Sequence, residues 1–287
     1  MQAYLQPQGD DLLTRKTGAW AAVKLDYLAR YIDVFETSMR RKWPVRYYVD
    51  LLAGPGKNVI RDSGAILLGS PLLALTTTYP FTGYFFVELS DKNTKALQQR
   101  CAASPNSHLV DIRTGDCNDL VNDIVAHIKQ DDWHSLNLAF LDPEGMELRW
   151  ETVAKLATVQ RMDLIINYPQ YGLNLNMRQA FETTGQTRVD DFFGDRAWRK
   201  IYQDWQKGRA PPGLHRRLID FYRERLQDLG YTEVLRDDQV GDEPLIRNAR
   251  RRAPLYRLLF ASKHPLGHDF WHKVTRRDVH GQARLPI

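Results

Sequence analysis

Acidic residues follow several apolar runs of this 287-residue sequence, each where a strand is predicted to end. Asp50 ends the run that begins at Tyr47, Glu88 ends the next run, and Asp142 follows a later one. Side chains that follow the strands of a parallel sheet meet at one edge, where open α/β sheets bind their ligands. Because carboxylates accept hydrogen bonds from hydroxyl and amino groups, these acids predict a pocket for a nucleoside.

A glycine-bracketed turn follows the first of these strands. Ala53, Gly54 and Gly56 come directly after the buried run that ends at Asp50. Glycine permits backbone conformations that other residues avoid, and it lets a ligand approach bare backbone. We therefore predict that Asp50, Ala53, Gly54 and Gly56 form one side of a cofactor site.

Two later strands are predicted to complete this cofactor site. Glu88 lies at the end of the second strand, where an acid can accept both ribose hydroxyls of a bound nucleoside. Asp116 follows the third strand and is placed to accept a hydrogen bond from an adenine amino group, with Cys117 beside it. The predicted cofactor-binding set thus spans three strand ends.

The fold class follows from apolar runs that alternate with helical patterns. The runs cover 47–50, 83–88, 108–114, 136–141 and 162–167, and helices are predicted over 21–40, 90–101, 117–129, 150–158 and 214–229. Such alternation predicts a mostly parallel sheet. Segments 232–236 and 255–261 are expected to pair as strands. The prediction is an α/β, Rossmann-like sheet with an antiparallel terminal strand and an insertion after the fifth strand.

These motifs, in this order, resemble the class I S-adenosylmethionine (SAM) methyltransferases. Segment 49–56 resembles their glycine-rich first motif, and Glu88, Asp116 and Asp142 match their ribose, adenine and active-site acids. More closely, the chain from about residue 24 to about residue 274 resembles the three-Cys-motif partner family, through 50–56, 69–75, 141–145, 163–167 and 254–264. The resemblance implies a methyltransferase fold, SAM as cofactor and a three-cysteine protein as partner.

Two segments depart from the pattern of that class. The distance from Asp50 to Glu88 exceeds the ~20 residues of a dinucleotide fingerprint, and the extra length, 57–68, is expected to fold over the ligand. Asp142 is followed by Pro143-Glu144-Gly145, without the second proline and the aromatic residue common in methyltransferases of base amino groups. This motif therefore argues against methylation of a base nitrogen.

Asp142, Glu144 and Asn167 are the predicted catalytic residues. Asp142 is the leading candidate to orient the acceptor and take up its proton. The predicted reaction is transfer of the SAM methyl group to a nitrogen or oxygen of a nucleic acid or modified nucleoside, with or without a partner protein. The acceptor and the oligomeric state stay open.

Two alternatives remain beside this reaction. One is a non-catalytic SAM-binding or scaffold protein, and the other is a metal-dependent phosphodiesterase or nuclease. No metal site is predicted, because the acids lie at different strand ends and the histidines lack ligand spacing. His264 and His268 are four residues apart, but Pro265 and Gly267 are expected to break the helix that would align them.

The chain is expected to divide into four parts. A loose arm covers 1–20, the SAM-binding core covers 21–169, an insertion for substrate or partner recognition covers 170–212, and 213–287 completes the sheet and ends in a basic segment. Trp198, Tyr202 and Trp205 in the insertion fit one helical face, which favours local core over a surface that stacks on bases.

Charge and composition set the expected partners and location. Residues 1–180 carry 19 Lys and Arg against 20 Asp and Glu, whereas residues 181–287 carry 21 against 15. This basic surplus, which includes Arg250, Arg251 and Arg252, is consistent with a nucleic-acid partner. Two cysteines, no signal peptide and no apolar run of membrane-spanning length predict a cytoplasmic protein that does not contact a membrane.

Overall fold

A computed structural model describes residues 9–209, 213–232, 243–248 and 252–277. Its strands are β1 (Arg15–Thr17), β2 (Tyr47–Asp50), β3 (Lys57–Ile60), β4 (Ile66–Leu68), β5 (Gly83–Glu88), β6 (Val110–Thr114), β7 (Asn137–Leu141), β8 (Met162–Tyr168), β9 (Leu245–Arg247) and β10 (Pro254–Ala261). Its helices are α1 (Trp20–Met39), α2 (Ser70–Leu75), α3 (Asp91–Ala102), α4 (Cys117–Ile128), α5 (Trp150–Ala157), α6 (Gln170–Glu182), α7 (Arg188–Phe193), α8 (Trp198–Gln206), α9 (Leu214–Asp228) and α10 (Pro265–Thr275).

The larger described sheet has seven strands in the order β6-β5-β2-β7-β8-β10-β9. The first five are parallel, while β10 runs antiparallel to both β8 and β9. The chain leaves β2 toward β5 and β6, then returns to β7 on the other side of β2. A crevice opens where the strand order reverses in this way, above the carboxyl end of β2. The predicted fold class is confirmed.

Helices cover both faces of this sheet, so its central strands are apolar throughout. Val49 and Ala139 pack on the face covered by α4, α5 and the helices after β8, whereas Tyr48 and Phe140 pack on the face of α1, α2, α3 and α10. The alternation of side chains along each strand thus divides the core into two layers. The strand ends between these layers are held rigidly.

The segment predicted to fold over the ligand forms a second, smaller sheet. β3 and β4 are an antiparallel hairpin, and β1 adds to it in parallel through Lys16 and Val59. Arg15–Thr17 is therefore a strand inside the segment for which the sequence predicted a loose arm. Arg100 of α3 holds the segment before β1 against the turn after β2. Its guanidinium donates to Asp10 at 2.7 and 2.9 Å and also to the Pro55 carbonyl oxygen.

Four helices, α6 to α9, lie between β8 and β9 in the chain and pack in the same core as α4 and α5. Asp190 is fully buried there and accepts hydrogen bonds from the Trp198 indole at 2.9 Å and from Arg199 at 2.8 Å. Trp198 and Tyr202 are buried in the core, while Trp205 is 44% exposed. The interpretation of this face as local core is confirmed for Trp198 and Tyr202 and is wrong for Trp205.

The end of the chain differs from expectation at two places. The predicted strand 232–236 falls almost entirely outside the described residues. On the side of β10 away from β8, the described strand is Leu245–Arg247. Pro265 does not break a helix but begins α10, since a proline at the first helical position lacks only a donor that would be unpaired there anyway. The His264 side chain caps that helix by accepting from the Leu266 N–H.

Candidate functional site

The turn after β2 is held from the core side by Asp50. This residue has no exposed surface, and its Oδ1 accepts from the Leu52 N–H at 3.2 Å. Burial raises the pKa of Asp50 to about 7, although hydrogen bonds from Ser70 and from the Leu52 N–H act in the opposite direction. Asp50 therefore supports the turn from the core side, whereas the sequence predicted that Asp50 forms one side of the cofactor site.

The two glycines of the turn serve different purposes. Both have positive φ, 64° at Gly54 and 89° at Gly56. A Cβ on Gly56 would lie 3.0–3.2 Å from Leu72 and Leu97, so this glycine fits the turn against the core. A Cβ on Gly54 would meet only the Arg15 guanidinium, at 3.8 Å, so Gly54 leaves backbone open beside the crevice.

Glu88 ties the turn to the end of β5. Its Oε2 accepts from the Gly54 N–H at 2.8 Å, and its Oε1 accepts from the Ser90 N–H at 2.8 Å and from Asn93 at 3.1 Å. Two carboxylate oxygens offer about four acceptor positions. Three of these are used, so Glu88 can orient the turn and still accept from one hydroxyl of a ribose.

The start of α4 forms the opposite wall. Asp116 is the N-cap of this helix and accepts from the backbone and side-chain nitrogens of Asn118 at 2.8 and 2.7 Å. The side chain of Cys117 is buried, and burial raises the pKa of its thiol to about 12, which keeps it neutral. This wall offers one carboxylate and one apolar surface.

These residues line a cavity of about 540 Å³, which we call the cofactor-side cavity. It is bounded by Gly54, Glu88, Asp116, Cys117 and, at its far end, Asp142 and Glu144. Six of the predicted site residues therefore meet in one space. Met146 and Leu89 add apolar lining of the kind that suits a planar base.

A second space, the acceptor-side cavity, has a volume of about 670 Å³. Its lining includes Ala53 and Gly56 from the turn, Asn167 from β8 and Tyr256 from β10. The two cavities share five lining residues, namely Arg15, Leu52, Gly54, Asp142 and Glu144. They therefore lie on either side of the strand ends of β2 and β7.

Asp142 stands at this boundary in an ion pair with Lys24 of α1. Both side chains are about nine-tenths buried, and the Lys24 ammonium also lies 5.2 Å from the centre of the Tyr256 ring. Lys24 is buried because α1 packs this face of the helix against the strand ends. The predicted catalytic carboxylate thus has a cation as a direct partner.

Asn167 completes the group that we call the Lys24–Asp142–Asn167 cluster. Its Nδ2 donates to Asp142 Oδ1 at 2.7 Å, and the residue is 1% exposed. Its Oδ1 is buried and has no hydrogen-bond partner among the described residues. Leaving a buried acceptor unpaired costs about 1–3 kcal/mol, and Asn167 also lines the acceptor-side cavity.

Glu144, the third predicted catalytic residue, has a different environment. Its side chain is 64% exposed and forms an ion pair with Arg15 of β1. This contact crosses the boundary between the two cavities, because both residues line both of them. Glu144 therefore joins the small sheet to the loop after β7, away from the buried cluster.

The mouth of the acceptor-side cavity is basic and partly apolar. Lys16 and Arg61 of the small sheet are exposed on one side. Tyr171 and Leu175, one turn apart on α6, are 50% and 63% exposed on the other. Of the basic cluster noted in the sequence, Arg250 and Arg251 lie outside the described residues.

The described residues contain neither a metal-binding group of side chains nor a membrane-spanning helix. In this part of the chain, no three His, Cys, Asp or Glu side chains are grouped so that they could bind a metal ion. None of the described helices has the length and apolar character needed to cross a membrane.

Sequence reasoning missed Lys24, Arg15 and Tyr256. Lys24 carried a usable signal, since it lies on the same helical face as Leu28 and Tyr31, which are both fully buried. Arg15 and Tyr256 reach the site through the small sheet and the antiparallel β10. No local sequence pattern predicts that Arg15 and Tyr256 lie at the site.

Among known proteins, the chain has distant structural similarities alone. No protein-family model matches the chain, and none of the curated proteins does. The O-methyltransferase TomG of Streptomyces achromogenes, solved with SAM, is similar over 88% of this chain and 93% of its own, at 11% identity and a TM-score of 0.39. A geranyl diphosphate methyltransferase, solved with GPP and sinefungin, is similar over 85% and 77%, at 9% and 0.34. A Legionella pneumophila protein is similar over 57% and 74%, at 14% and 0.42.

The strand order of the sheet assigns the architecture. Numbered along the chain, the strands of the large sheet follow the order 3-2-1-4-5-7-6, with the last pair antiparallel. This is the sheet of class I SAM-dependent methyltransferases, and the chain has their fold. Membership of the three-Cys-motif partner family stays a prediction.

Proposed function

We propose that this chain is a SAM-dependent methyltransferase that acts on a nucleic acid. One observation carries the proposal. A cavity with the acids that suit a nucleoside meets, at Gly54 and Asp142, a second cavity that contains the Lys24–Asp142–Asn167 cluster. A methyl donor and its acceptor need this arrangement of adjoining spaces.

The residues of the cofactor-side cavity fit SAM by their chemistry. Glu88 retains about one acceptor position for a ribose hydroxyl, and Asp116 offers a carboxylate to the adenine amino group. Gly54 leaves open backbone where a Cβ would otherwise project, and Cys117 supplies an apolar contact to the base. When bound, SAM supplies a methyl group on a positively charged sulfur.

The chain's own part in the reaction is to position the acceptor and hold charge. Aligned reactants can lower a barrier by several kcal/mol without any covalent step by the protein. Lys24 pairs with Asp142 at the boundary of the two cavities, where a carboxylate favours positive charge on the acceptor. Asn167 is held by Asp142 and presents its oxygen beside them.

A nucleic-acid acceptor is supported by the mouth of the acceptor-side cavity. Lys16 and Arg61 stand where phosphates can pair with them, and Tyr171 offers an exposed ring on which a base can stack. The basic surplus after residue 180 adds a field of the same sign. A three-cysteine partner protein, implied by the family resemblance, is the further participant we propose to look for by copurification.

The cofactor part of the proposal is tested by calorimetry with SAM and S-adenosylhomocysteine. At about one hundred times the dissociation constant, binding raises the free energy of unfolding by about 2.7 kcal/mol. Glu88→Ala is expected to remove most of this gain, whereas Glu151→Gln, an exposed acid on α5, leaves it intact. Binding of magnesium in place of SAM would support the phosphodiesterase alternative, and SAM binding without transfer to any acceptor would support the scaffold alternative.

The acceptor part is tested by the salt dependence of binding to single-stranded oligonucleotides. Each phosphate that a single strand loses as a partner lowers the slope of log affinity against log salt by about 0.7. Changing Lys16 and Arg61 together to Ala is expected to lower it by about 1.4. The matched control changes Lys42 and Lys129, two exposed lysines at the opposite edge of the sheet, and leaves the slope unchanged. No binding at low salt contradicts a nucleic-acid acceptor.

A further inference from the structure

The unpaired oxygen of Asn167 limits which group can be methylated. In the described part of the chain this Oδ1 has no donor, although it is buried and its residue lines the acceptor-side cavity. Water or a ligand must supply a hydrogen atom to it when the site is filled. The acceptor therefore presents a donor at the position where it reacts.

The orientation of the Asn167 amide is not arbitrary. Its nitrogen faces Asp142 Oδ1 at 2.7 Å, and the reverse orientation would place two oxygens against each other. The Lys24 ammonium donates to the other oxygen of Asp142. Both Asp142 oxygens therefore accept hydrogen bonds, one of them from the Asn167 amide nitrogen, and the Asn167 oxygen is turned away from Asp142.

We propose that the methylated group is the exocyclic amino nitrogen of a nucleobase, recognised by Asn167 Oδ1 and Asp142 together. The inference rests on the proposed function and specifies its acceptor. An amino group carries two hydrogen atoms, one for the amide oxygen and one for the carboxylate. Both acceptors belong to residues that line the acceptor-side cavity.

A hydroxyl group satisfies this cluster less well. It has one hydrogen atom and must lose it for oxygen to become a good nucleophile. An amide oxygen can accept a hydrogen bond from that atom but is too weak a base to remove it, and Asp142 is already paired with Lys24. An amino nitrogen attacks first and loses its proton afterwards, so it needs no strong base.

The bonds and charges of this step balance as follows. The nitrogen lone pair forms a bond to the methyl carbon, and the carbon–sulfur bond breaks with its electron pair going to sulfur. The nitrogen becomes positively charged beside Asp142, which stabilises that charge. It then releases one of its two protons through Asp142 to water, which leaves a neutral methylamino group.

Asn167 thereby takes the place of a motif that the sequence lacks. The segment after β7 has no second proline and no aromatic residue, which argued against a base nitrogen. In the structure Asn167 of the next strand, β8, donates from its amide nitrogen to Asp142, and its own oxygen is left as a second acceptor. The argument from the missing motif therefore does not apply to this site.

The binding test uses oligonucleotide pairs that differ in one amino group. The pairs contain adenosine or purine riboside, cytidine or pyrimidin-2-one riboside, and guanosine or inosine, each measured with S-adenosylhomocysteine present. The wild-type protein is expected to prefer the amino member of at least one pair by about tenfold, the effect of a lost hydrogen bond to a buried acceptor. Equal affinity within all three pairs overturns the inference.

Variants assign the preference to Asn167. Asn167→Leu removes the oxygen at similar volume and is expected to abolish the preference while SAM affinity stays unchanged. The control is Asn176→Leu, an exposed amide at the mouth of the same cavity, which is expected to keep the preference. A preference that survives in Asn167→Leu overturns the role given to Asn167.

Product analysis on the wild-type protein needs no variant. Oligonucleotides incubated with SAM are digested to nucleosides and analysed by mass spectrometry. A methyl group on an exocyclic nitrogen supports the inference. A methyl group on oxygen or carbon, or none at all in a protein that binds SAM, overturns it and leaves the cofactor assignment standing. Failure to bind SAM overturns the proposed function itself.

Discussion

Asp50→Asn tests whether the buried carboxyl that supports the turn after β2 makes the free energy of unfolding depend on pH. Burial raises the pKa of Asp50 from 3.8 to about 7 in the folded protein. Between those values the folded state binds more protons than the unfolded state, so the free energy of unfolding falls as the pH rises. The stabilising effect is complete below about pH 4 and is lost through about pH 7.

The size of the effect follows from the size of the shift. About three pKa units correspond to about 4 kcal/mol, which is the upper limit of the stability lost at Asp50 between acid and neutral pH. The Asn side chain has no charge to bury, and its oxygen can still accept from the Leu52 N–H. Asp50→Asn is therefore expected to equal the wild type near pH 4 and to exceed it by up to about 4 kcal/mol near pH 8.

The assay is urea unfolding of both proteins from pH 4 to pH 8, followed by circular dichroism. Other carboxyls have opposite shifts, Asp10 among them, so the quantity to compare is the difference between variant and wild type. Asp33→Asn, an exposed acid on α1, is the control and is expected to give a constant difference. A constant difference for Asp50→Asn as well would refute the reasoning.

Three further predictions concern the turn, the helices after β8 and the buried ion pair. Gly54→Ala is expected to weaken SAM binding with about 1 kcal/mol lost in stability, while Gly56→Ala mainly lowers stability, because its Cβ meets two core leucines; calorimetry and thermal unfolding separate the two. Asp190→Ala should lower the free energy of unfolding by about 3 kcal/mol or more, because a buried carboxylate that pairs with arginine is removed, and Asp190→Asn by less. Lys24→Met leaves Asp142 without its cation and is expected to cost a similar amount in urea unfolding, and unchanged stability would mean that the pair is solvated.

The parts of the fold that local patterns determine were predicted well. Apolar runs with both faces buried, such as 162–168, specify parallel strands, and polar residues such as Glu88 and Asp116 mark their ends. The helix predicted over 214–229 is α9, and Gly230 follows it with a φ of 86°. These features depend on residues close together in the chain, which a single sequence displays.

Features that depend on contacts between distant segments were not predicted. The Lys24 partner is 118 residues away, and Arg15 meets Glu144 across the small sheet. The depth of Asp50 behind the turn depends on helices that come later in the chain. The acids of the site could be predicted from their spacing in the sequence. The cation that pairs with Asp142 and the direction of the Asn167 amide are visible only in the assembled sheet.

The five hydrogen bonds of Arg100 have a consequence for how long a cofactor stays bound. The Arg100 guanidinium donates to Asp10 and to the carbonyl oxygens of Leu12, Leu13 and Pro55. One side chain therefore bonds both to the start of the described chain and to the turn after β2. A protein shortened to begin at Trp20 would lose most of these partners and β1 together. Its turn would then have to be ordered by the cofactor, and the entropy of that ordering would be subtracted from affinity. We expect faster dissociation of the cofactor from such a protein, while the seven-stranded sheet itself stays folded.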